Sequence, residues 1–489
     1  MSEFTELLGE IIKEGNLTVY GLAKECDIDR TVLQKAITEG KKINYDTFIK
    51  IYEELKNVIG GNRIKLLYEK FSEEYYGLEE MNTIRFIRNR LLEMRKNEEV
   101  IDECKRNGDI LNDFKISANQ CIDNDYNDIQ KKIINEVYKI IEDELNRAHN
   151  KKTKARIWMR FPTDWKFLRK LILYSVTLSR NPEKIDFIYC LPGPKRSENK
   201  DLKLLENYFT ACEFAQYGFN TCSGLDEKSD AYFELVPYYI ITGNKIFAIY
   251  KDGSYSINEN MQEVNKMASS FSKIISDEEF FMKEVQMDLF SMISVPETCK
   301  QKNIIENICN DIDIATYYDK EIFKEALPSD IDSREGLIYI LNLYNESLRE
   351  GYRRINFTMD SVLKFVKGED KDRWIHNSKV TKEKKLEILE NIMNDIDTSK
   401  VELSMLISDK IKYHSKLNIR LISERMISCE GRLYVGEEMK ETVSFLISPV
   451  INKHLRNYNQ YISNSECCLN HNQSKRVFEM LIKGLSNIN

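Results

Sequence analysis

Four polar residues near the start of the chain recur at the spacing of one helical face, and two lysines follow them closely. The four are Arg30, Thr31, Gln34 and Lys35, and the following pair is Lys41 and Lys42. Arginine and glutamine can form paired hydrogen bonds with guanine and adenine edges, and threonine can bond a base or touch a thymine methyl. Lysines just beyond such a helix would meet phosphate oxygens. The spacing therefore indicates contact chemistry suited to a groove of duplex DNA.

The stretch LAKECDIDRTVLQKAITEGKK, residues 22–42, has to position these side chains. It predicts a helix, a tight turn and a second helix. Asp27 occupies the turn, because aspartate visits the left-handed region more readily than most residues. Asp29 is a suitable N-cap for the second helix, and Leu33 would lie on that helix's buried face. Ala23 is the small residue expected where the two helices touch.

These residues resemble the helix-turn-helix domain of the phage-repressor family (Cro/CI type, also called XRE). The leucine-alanine pair, the turn, the short second helix and the glycine-lysine exit all have counterparts here, and INYDTFIKIYEEL is similar to the fourth helix of those domains. The resemblance covers about residues 4–60. It implies a DNA-binding domain of about five helices, usually dimeric on a two-fold symmetric operator. Val19, where the family usually has a polar residue, and Gly21, inside a helix, depart from its pattern.

The composition excludes several other classes of protein. The chain has 489 residues, of which 42% are hydrophobic and 31% charged, with only 8 prolines. These values predict a folded, mainly helical protein of several domains. No apolar run reaches the length of a membrane span, and the acidic, amphipathic start MSEFTELLGEIIKEG is unlike a secretory signal. We therefore expect a cytoplasmic protein that does not associate with membranes.

The net charge and the spacing of the cysteines limit the nucleic acids and metal ions that the protein is expected to bind. The formal net charge of −7 argues against non-specific coating of nucleic acid, although it allows a local basic face. The 11 cysteines are scattered without CxxC pairing, which favours reduced, buried thiols. The segment CCLNH places Cys467 and Cys468 near His471, but adjacent cysteines usually point in different directions and no second pair has ligand spacing. We predict no metal and no cofactor.

The pattern of apolar and polar residues along the chain predicts a mainly α fold with α+β regions. Apolar residues at helical spacing dominate the first part, whereas YFELVPYYIITGNKIFAIYKDGSYSI reads as three short strands joined by tight turns. We predict five segments, two of them mixed α/β regions that sense a signal or bind a partner. They are a helix-turn-helix bundle at 1–60, a helical connector at 61–152, an α+β region with a β-meander at 153–275, a helical region at 276–354 and a second α+β region at 355–489.

Two further patterns concern assembly and ancestry. In the connector, an apolar stripe along IQKKIINEVYKIIEDELNRAH makes a paired-helix dimer plausible, but no heptad persists long enough for a coiled coil. The two α+β regions share a loose order of elements, in which FPTDWKFLRKL echoes FTMDSVLKFV. A duplication and a chance resemblance both remain open.

A basic stretch at residues 147–170 interleaves two tryptophans with lysines and arginines. One interpretation is an auxiliary surface for phosphates, on DNA or on an anionic ligand. The other is a solvated hinge whose tryptophans pack into the core, and the sequence favours this second interpretation.

Together, these patterns predict a sequence-specific DNA-binding transcriptional regulator, not an enzyme. Its expected partners are a double-stranded DNA operator, a second copy of the chain in a homodimer, and a small-molecule or peptide effector. One alternative is a peptide-pheromone-responsive regulator, although no helical repeat period is present. Another is a protein-interaction scaffold or an enzyme whose site the sequence does not reveal.

Overall fold

The structure is a computed structural model of the chain. It describes residues 2–59, 61–107, 127–163, 165–179, 184–192, 199–222, 236–277, 283–285, 304–310, 314–327, 329, 334–349, 351–369, 377–407, 410–413, 417–421, 426–435 and 438–486.

Five helices form the first part of the chain. They are α1 (Glu3–Glu14), α2 (Val19–Glu25), α3 (Arg30–Glu39), α4 (Tyr45–Val58) and α5 (Asn62–Tyr76). The side chains of Thr18, Asp29 and Asn44 cap α2, α3 and α4 by accepting backbone N–H bonds, and the cap at Asp29 is the one predicted from the sequence. Between α2 and α3, Asp27 has a φ of 50°, which is the left-handed turn expected there. The cap on α2 also accounts for Gly21, since a Cβ there would lie 3.0 Å from the Thr18 hydroxyl.

Two long helices follow, α6 (Leu78–Asn107) and α7 (Asp128–Lys151). The apolar stripe of α7 is buried in its own chain, and its members are Ile133, Ile134, Val137, Ile140 and Ile141. This helix packs on β1 (Ala155–Arg160) and on α8 (Lys166–Thr177), while α6 packs on α5 and α8. The stripe predicted to join two copies of the chain is therefore covered within one copy.

The first sheet contains six strands. After β1 come β2 (Ile185–Cys190), β3 (Asn220–Cys222), β4 (Tyr238–Thr242), β5 (Ile246–Ile249) and β6 (Tyr255–Asn258), in the spatial order β3-β2-β1-β4-β5-β6. The first three strands are parallel, and β4 to β6 continue antiparallel from β1, which confirms the predicted meander. Helices α9 (Lys200–Ala215) and α10 (Met261–Asp277) complete this region.

The second sheet contains eight strands in the order β14-β10-β9-β8-β11-β12-β13-β7. They are β7 (Lys283–Val285), β8 (Ile304–Ile308), β9 (Tyr352–Thr358), β10 (Val401–Leu406), β11 (Asn418–Leu421), β12 (Met426–Val435), β13 (Glu438–Ile447) and β14 (Cys468–Leu469). The accompanying helices are α11 (Lys320–Ala326), α12 (Arg334–Arg349), α13 (Met359–Lys367), α14 (Lys382–Asp397), α15 (Pro449–Ser463) and α16 (His471–Ser486). A mainly helical chain with two mixed sheets is thus confirmed.

The two sheets share one topology. In the second, β8, β9 and β10 are parallel, and β11 to β13 continue antiparallel from β8, just as β4 to β6 continue from β1. This common order favours duplication over chance. The sequence echo, however, paired positions that are not equivalent, because FPTDWKFLRKL follows the first parallel strand of its sheet and FTMDSVLKFV follows the second.

One predicted segment differs from the structure. Residues 276–354 were expected to be helical, yet β8 lies within them and pairs with both β9 and β11. The segment Ile304–Ile308 is short and rich in isoleucine, so its sequence alone does not distinguish a strand from part of a buried helix. Its position at the centre of a sheet becomes clear only from the fold.

The N-terminal helices share a hydrophobic core with the rest of the molecule. One continuous cluster of buried side chains runs from Phe4 on α1 to Cys468 on β14. Across this core, the Tyr68 hydroxyl donates to the Tyr461 carbonyl at 2.8 Å, and the Asn470 amide donates to Glu53 at 2.6 Å. Residues 1–60 are therefore packed against the end of the chain.

His454 on α15 joins three parts of the molecule. Its Nδ1 lies 2.8 Å from a carboxylate oxygen of Glu80 on α6, and its Nε2 lies 3.3 Å from Asp201 on α9. Burial alone would lower the pKa of His454, but the two carboxylates raise that pKa above its ordinary value. Burial alone would raise the pKa of Glu80, but the hydrogen bond from His454 holds that pKa below its ordinary value. Protonated His454 thus links the connector to both α/β regions.

This arrangement predicts a pH dependence of stability. Because the folded-state pKa of His454 is raised, its contribution is fully present below about pH 6.5 and is lost as the pH rises through the folded value. Because the folded-state pKa of Glu80 is lowered, its contribution is present above about pH 4.5 and is lost as the pH falls. Urea unfolding between pH 6 and 8.5 should show a falling free energy of unfolding in the parent and a flatter profile in His454→Gln. Equal slopes in the two proteins would contradict this role.

Candidate ligand-binding site

The structure places the residues predicted to contact DNA on and just after α3. Arg30 and Thr31 are exposed, and Gln34 and Lys35 are half-buried on neighbouring turns. Leu33, on the opposite side of this helix, is fully buried. The predicted division of α3 into a buried and an accessible face is therefore present.

The two lysines that follow α3 are exposed as well. Gly40 ends the helix with a φ of 67°, and Lys41 and Lys42 come directly after it. Lys41 lies 3.4 Å from Glu39, an exposed pair of little energetic weight. The six side chains thus lie along one short segment, and their contact with DNA stays a prediction.

The carboxyl ends of the parallel strands are the usual place for a ligand in an α/β sheet. In the first sheet, side chains of the chain itself occupy that edge. Just beyond β1, the Thr163 carbonyl accepts a hydrogen bond from Arg169 at 2.7 Å, and just beyond β2 the Pro192 carbonyl accepts one from Asn207 at 2.9 Å.

Next to this edge lies a buried ionic cluster, which we define as Arg90, Arg169, Glu93, Glu206 and Glu213. It joins α6, α8 and α9: Arg90 lies 3.3 Å from Glu213, and Arg169 lies 3.1 Å from Glu93 and also pairs with Glu206. Burial would raise the pKa of Glu93, but the charges of Arg169, Arg90 and Lys170 lower it to about 2. The charges of the three carboxylates are thus opposed by two buried guanidiniums and by Lys170, and these ion pairs lie beside the edge.

The opposite edge of the sheet carries a cavity of about 690 Å³. It lies at the amino ends of β1 and β2, beside the last turns of α7 and α8. Its lining consists of Tyr138, Glu142, Leu145, Asn146, Ala148, His149, Asn150, Lys152, Thr153, Ala155, Ser175, Leu178, Ser179, Lys184 and Ile185. This volume is typical of small-molecule sites, which span about 300 to 1,000 Å³.

Two serine hydroxyls at the cavity are left without partners. Ser175 is only 7% exposed, and neither its Oγ nor the Oγ of Ser179 has a hydrogen-bond partner among the described residues. A buried polar group without a partner costs about 1 to 3 kcal/mol. These two hydroxyls, one near the end of α8 and one two residues beyond it, are therefore groups that a bound molecule could satisfy.

The basic stretch at 147–170 divides into structural and accessible residues. Arg147 pairs with Glu144 at 2.7 Å, Arg156 lies over the Trp158 ring at 4.7 Å, and Arg169 belongs to the buried ionic cluster. Trp158 is itself buried, as the hinge interpretation expected. Among its accessible lysines, Lys152 lines the cavity, and Lys151 and Lys154 are its near neighbours in the chain.

Sequence reasoning did not find the cavity. Its residues come from two helices and two strand starts, and most are ordinary surface or small side chains. The only local signal is the SVTLS segment, in which Ser175 and Ser179 recur one helical turn apart. Such a pair is too common in sequences to indicate a site before the fold is known.

The CCLNH segment is held by contacts within the protein. Cys467 and Cys468 are buried, and His471 Nδ1 accepts the Leu403 backbone N–H at 3.1 Å. Within the described ranges, no group of three histidine, cysteine or acidic side chains could hold a metal ion.

Comparisons with known proteins identify no family for this chain. No family model matches it, and no curated protein matches it. Among solved structures, a phosphatidylserine synthase from Haemophilus influenzae aligns with 72% of this chain and 91% of its own, at 9% sequence identity and a TM-score of 0.25.

This finding corrects the prediction of a sequence-specific DNA-binding transcriptional regulator, together with its pheromone-responsive form. The alignment over most of the chain is with a phosphatidylserine synthase and not with a DNA-binding regulator. We therefore do not retain transcriptional regulation as the function. At a TM-score of 0.25 the likeness gives no reason to assign a synthase activity instead. Separately, none of the helices that the structure describes combines the length and the apolar character needed to cross a membrane.

The buried ionic cluster predicts a strong dependence of stability on Arg169. Removing this guanidinium leaves buried carboxylates uncompensated, so Arg169→Ala should lower the free energy of unfolding by about 3 to 5 kcal/mol. Chemical denaturation followed by circular dichroism measures the change. Arg63→Ala, which breaks the exposed pairs with Glu10 and Glu14, is the matched control and should change stability little. If both variants lost a similar free energy of unfolding, the buried ionic cluster would contribute no more to stability than an exposed ion pair.

Proposed function

We propose that this protein binds a small molecule in the cavity between α7, α8 and the first sheet. The observation that carries the proposal is a cavity of about 690 Å³ into which a buried, unpartnered hydroxyl, that of Ser175, is presented. Leu145, Leu178 and Ile185 supply apolar walls, and the serines supply polar contacts. Apolar walls with a few placed polar groups are what ligand sites require.

The chemistry of the cavity supports binding rather than catalysis. A serine nucleophile needs a neighbouring base that accepts its proton. His149 lines the same cavity, but no hydrogen bond joins it to Ser175 or Ser179 among the described residues. We therefore propose a ligand-binding role and no reaction.

Helix α8 connects the cavity to the interior of the protein. Its last turn carries Ser175 at the cavity, and its first turn carries Arg169 in the buried ionic cluster. A ligand that orders the last turns of α8 would therefore act on a helix whose other end is bonded to α6 and α9. This connection supports a sensing protein, in which binding shifts an existing balance of conformations.

Filling the cavity tests the binding site. Asn146 is an exposed lining residue, so Asn146→Trp should place an indole in the cavity without disturbing the core. A panel of small aromatic and aliphatic acids, amines and alcohols, screened by ligand-observed NMR, should give hits for the parent. Their affinity should fall more than tenfold in Asn146→Trp, a change of about 1.4 kcal/mol.

The matched control is Lys139→Trp, an exposed position on the same helix that does not line the cavity. This variant should keep the hits of the parent. Hits that survive unchanged in Asn146→Trp, or a parent that binds nothing, would overturn the proposed function.

We propose further that α2 and α3 form a helix-turn-helix pair within the bundle of α1 to α5. Supporting this are the left-handed Asp27 between the helices and the buried contacts of Ala23 and Leu33. We also propose a reducing, cytoplasmic location, which the buried free thiols of Cys26, Cys104, Cys467 and Cys468 support.

The turn between α2 and α3 can be tested by substitution at Asp27. A β-branched residue is strained at a φ of 50°, so Asp27→Val should destabilise the protein by about 1 to 2 kcal/mol. Asp27→Gly removes the side-chain penalty and should be neutral or slightly stabilising. Thermal unfolding of the two variants measures the difference. Equal stabilities would contradict the left-handed turn.

A further inference from the structure

We infer that the cavity takes a small anion, a molecule with a carboxylate or phosphate group on an apolar body. This inference rests on the proposed function, because it names the class of ligand for the same cavity. Three features carry it: the charge around the entrance, the unpartnered hydroxyls, and the apolar walls.

The first feature is a group of exposed lysines, which we call the lysine rim and define as Lys151, Lys152, Lys154 and Lys184. Lys152 and Lys184 line the cavity, and the other two lie within three residues of Lys152 in the chain. All four are exposed, and none has an ion-pair partner among the described residues. This differs from the arginines of the same basic stretch, which are paired or stacked. Unpaired cations at a concave surface attract and hold anions.

The negative charges near the cavity are together smaller than the positive charge of the lysine rim. Glu142 is the one acidic residue of the described lining, and it already accepts a hydrogen bond from the Tyr138 hydroxyl at 3.3 Å. The C-terminal ends of α7 and α8 add about half a negative charge each. Part of that charge is engaged on α7, whose Ala148 carbonyl accepts the backbone N–H of Thr153 at 3.0 Å. Four lysines exceed these contributions, so the net field favours an anion.

The second feature is the pair of hydroxyls at and just beyond the end of α8. Ser175 lies in the last turn of α8 and Ser179 lies two residues after its end, and both line the cavity, so both hydroxyls can donate to a group bound there. Carboxylate and phosphate oxygens are strong acceptors, and hydrogen bonds to charged acceptors contribute more than neutral ones. An anionic head lying between these serines and the lysine rim would satisfy both hydroxyls.

The third feature is the apolar wall of the cavity, which determines what the ligand carries besides its anionic group. Leu145, Leu178 and Ile185 provide apolar surface, and the volume exceeds that of a bare phosphate or carboxylate ion several-fold. A simple inorganic ion would leave this surface exposed to water. An aromatic or aliphatic body attached to the anionic group would cover it.

Exposed lysines also suit the phosphates of a nucleic acid. A duplex would contact the lysine rim from outside, but it could not reach Ser175, which is 7% exposed. The hydroxyls therefore favour a small anion over a duplex, and a duplex serves as a competing ligand in the test.

The experiment is isothermal titration of the full chain with three probes of similar size: benzoate, phenyl phosphate and benzyl alcohol. We expect the two anions to bind at least tenfold more tightly than the neutral alcohol, and to weaken as salt is added. The double variant Lys152→Ala/Lys184→Ala should lose at least tenfold in affinity for the anions. Ser175→Ala should weaken binding of the anions several-fold without lowering stability, because the hydroxyl it removes has no partner in the protein. Lys139→Ala is the matched lysine control that should behave as the parent.

The outcomes separate this inference from the function on which it rests. If benzyl alcohol binds as tightly as the anions, or only neutral and basic members of the screening panel bind, the anion class is wrong while the cavity remains a ligand site. If no probe or panel member binds in a manner that Asn146→Trp abolishes, both fall. If a short DNA duplex binds through Lys152 and Lys184 while benzoate and phenyl phosphate do not, the inference is overturned in favour of a nucleic-acid surface.

Discussion

Ionised groups buried away from water must be neutralised by neighbours, and this constraint organises the centre of the protein. Arg90 and Arg169 lie among three carboxylates contributed by α6 and α9, and none of the five side chains could stay charged there alone. The helices are consequently held at fixed separations by directional bonds as well as by apolar packing. Because α8 contributes Arg169 to this cluster and Ser175 to the cavity, the position of the cavity's inner wall depends on the same ion pairs.

The two sheets show how one topology can be used differently in one chain. In the first, internal polar contacts lie just beyond the carboxyl ends of β1 and β2, and a cavity lies at the amino edge beside α7 and α8. In the second, additional strands at both edges extend the common core of six. A shared fold therefore does not locate a shared site, and each region has to be understood from its own side chains.

Much of the local structure could be predicted from the sequence, because its signals are short in range. Asp27 and Asp29 mark the turn and the cap of α3, and the tight turns of the meander mark β4 to β6. Long-range features left no such signal. The isoleucines of β8 became a strand through pairing with β9 and β11, and the stripe of α7 met its own sheet instead of a second copy. The cavity assembles from helices and strand starts that only the fold brings together, and a basic stretch cannot show which of its members are already paired.

The hydrogen bond between Tyr68 and Tyr461 spans 393 residues of chain. Ribosomes add about 5 to 20 residues each second, so about 20 to 80 s separate the appearance of the two tyrosines. During that interval Phe71 can already pack on Phe4 and Phe48 of its own helices, whereas Tyr68 lacks the ring and carbonyl of Tyr461 that finally contact it. The side of α5 that carries the Tyr68 hydroxyl therefore stays uncovered by α15 until that helix has been synthesised.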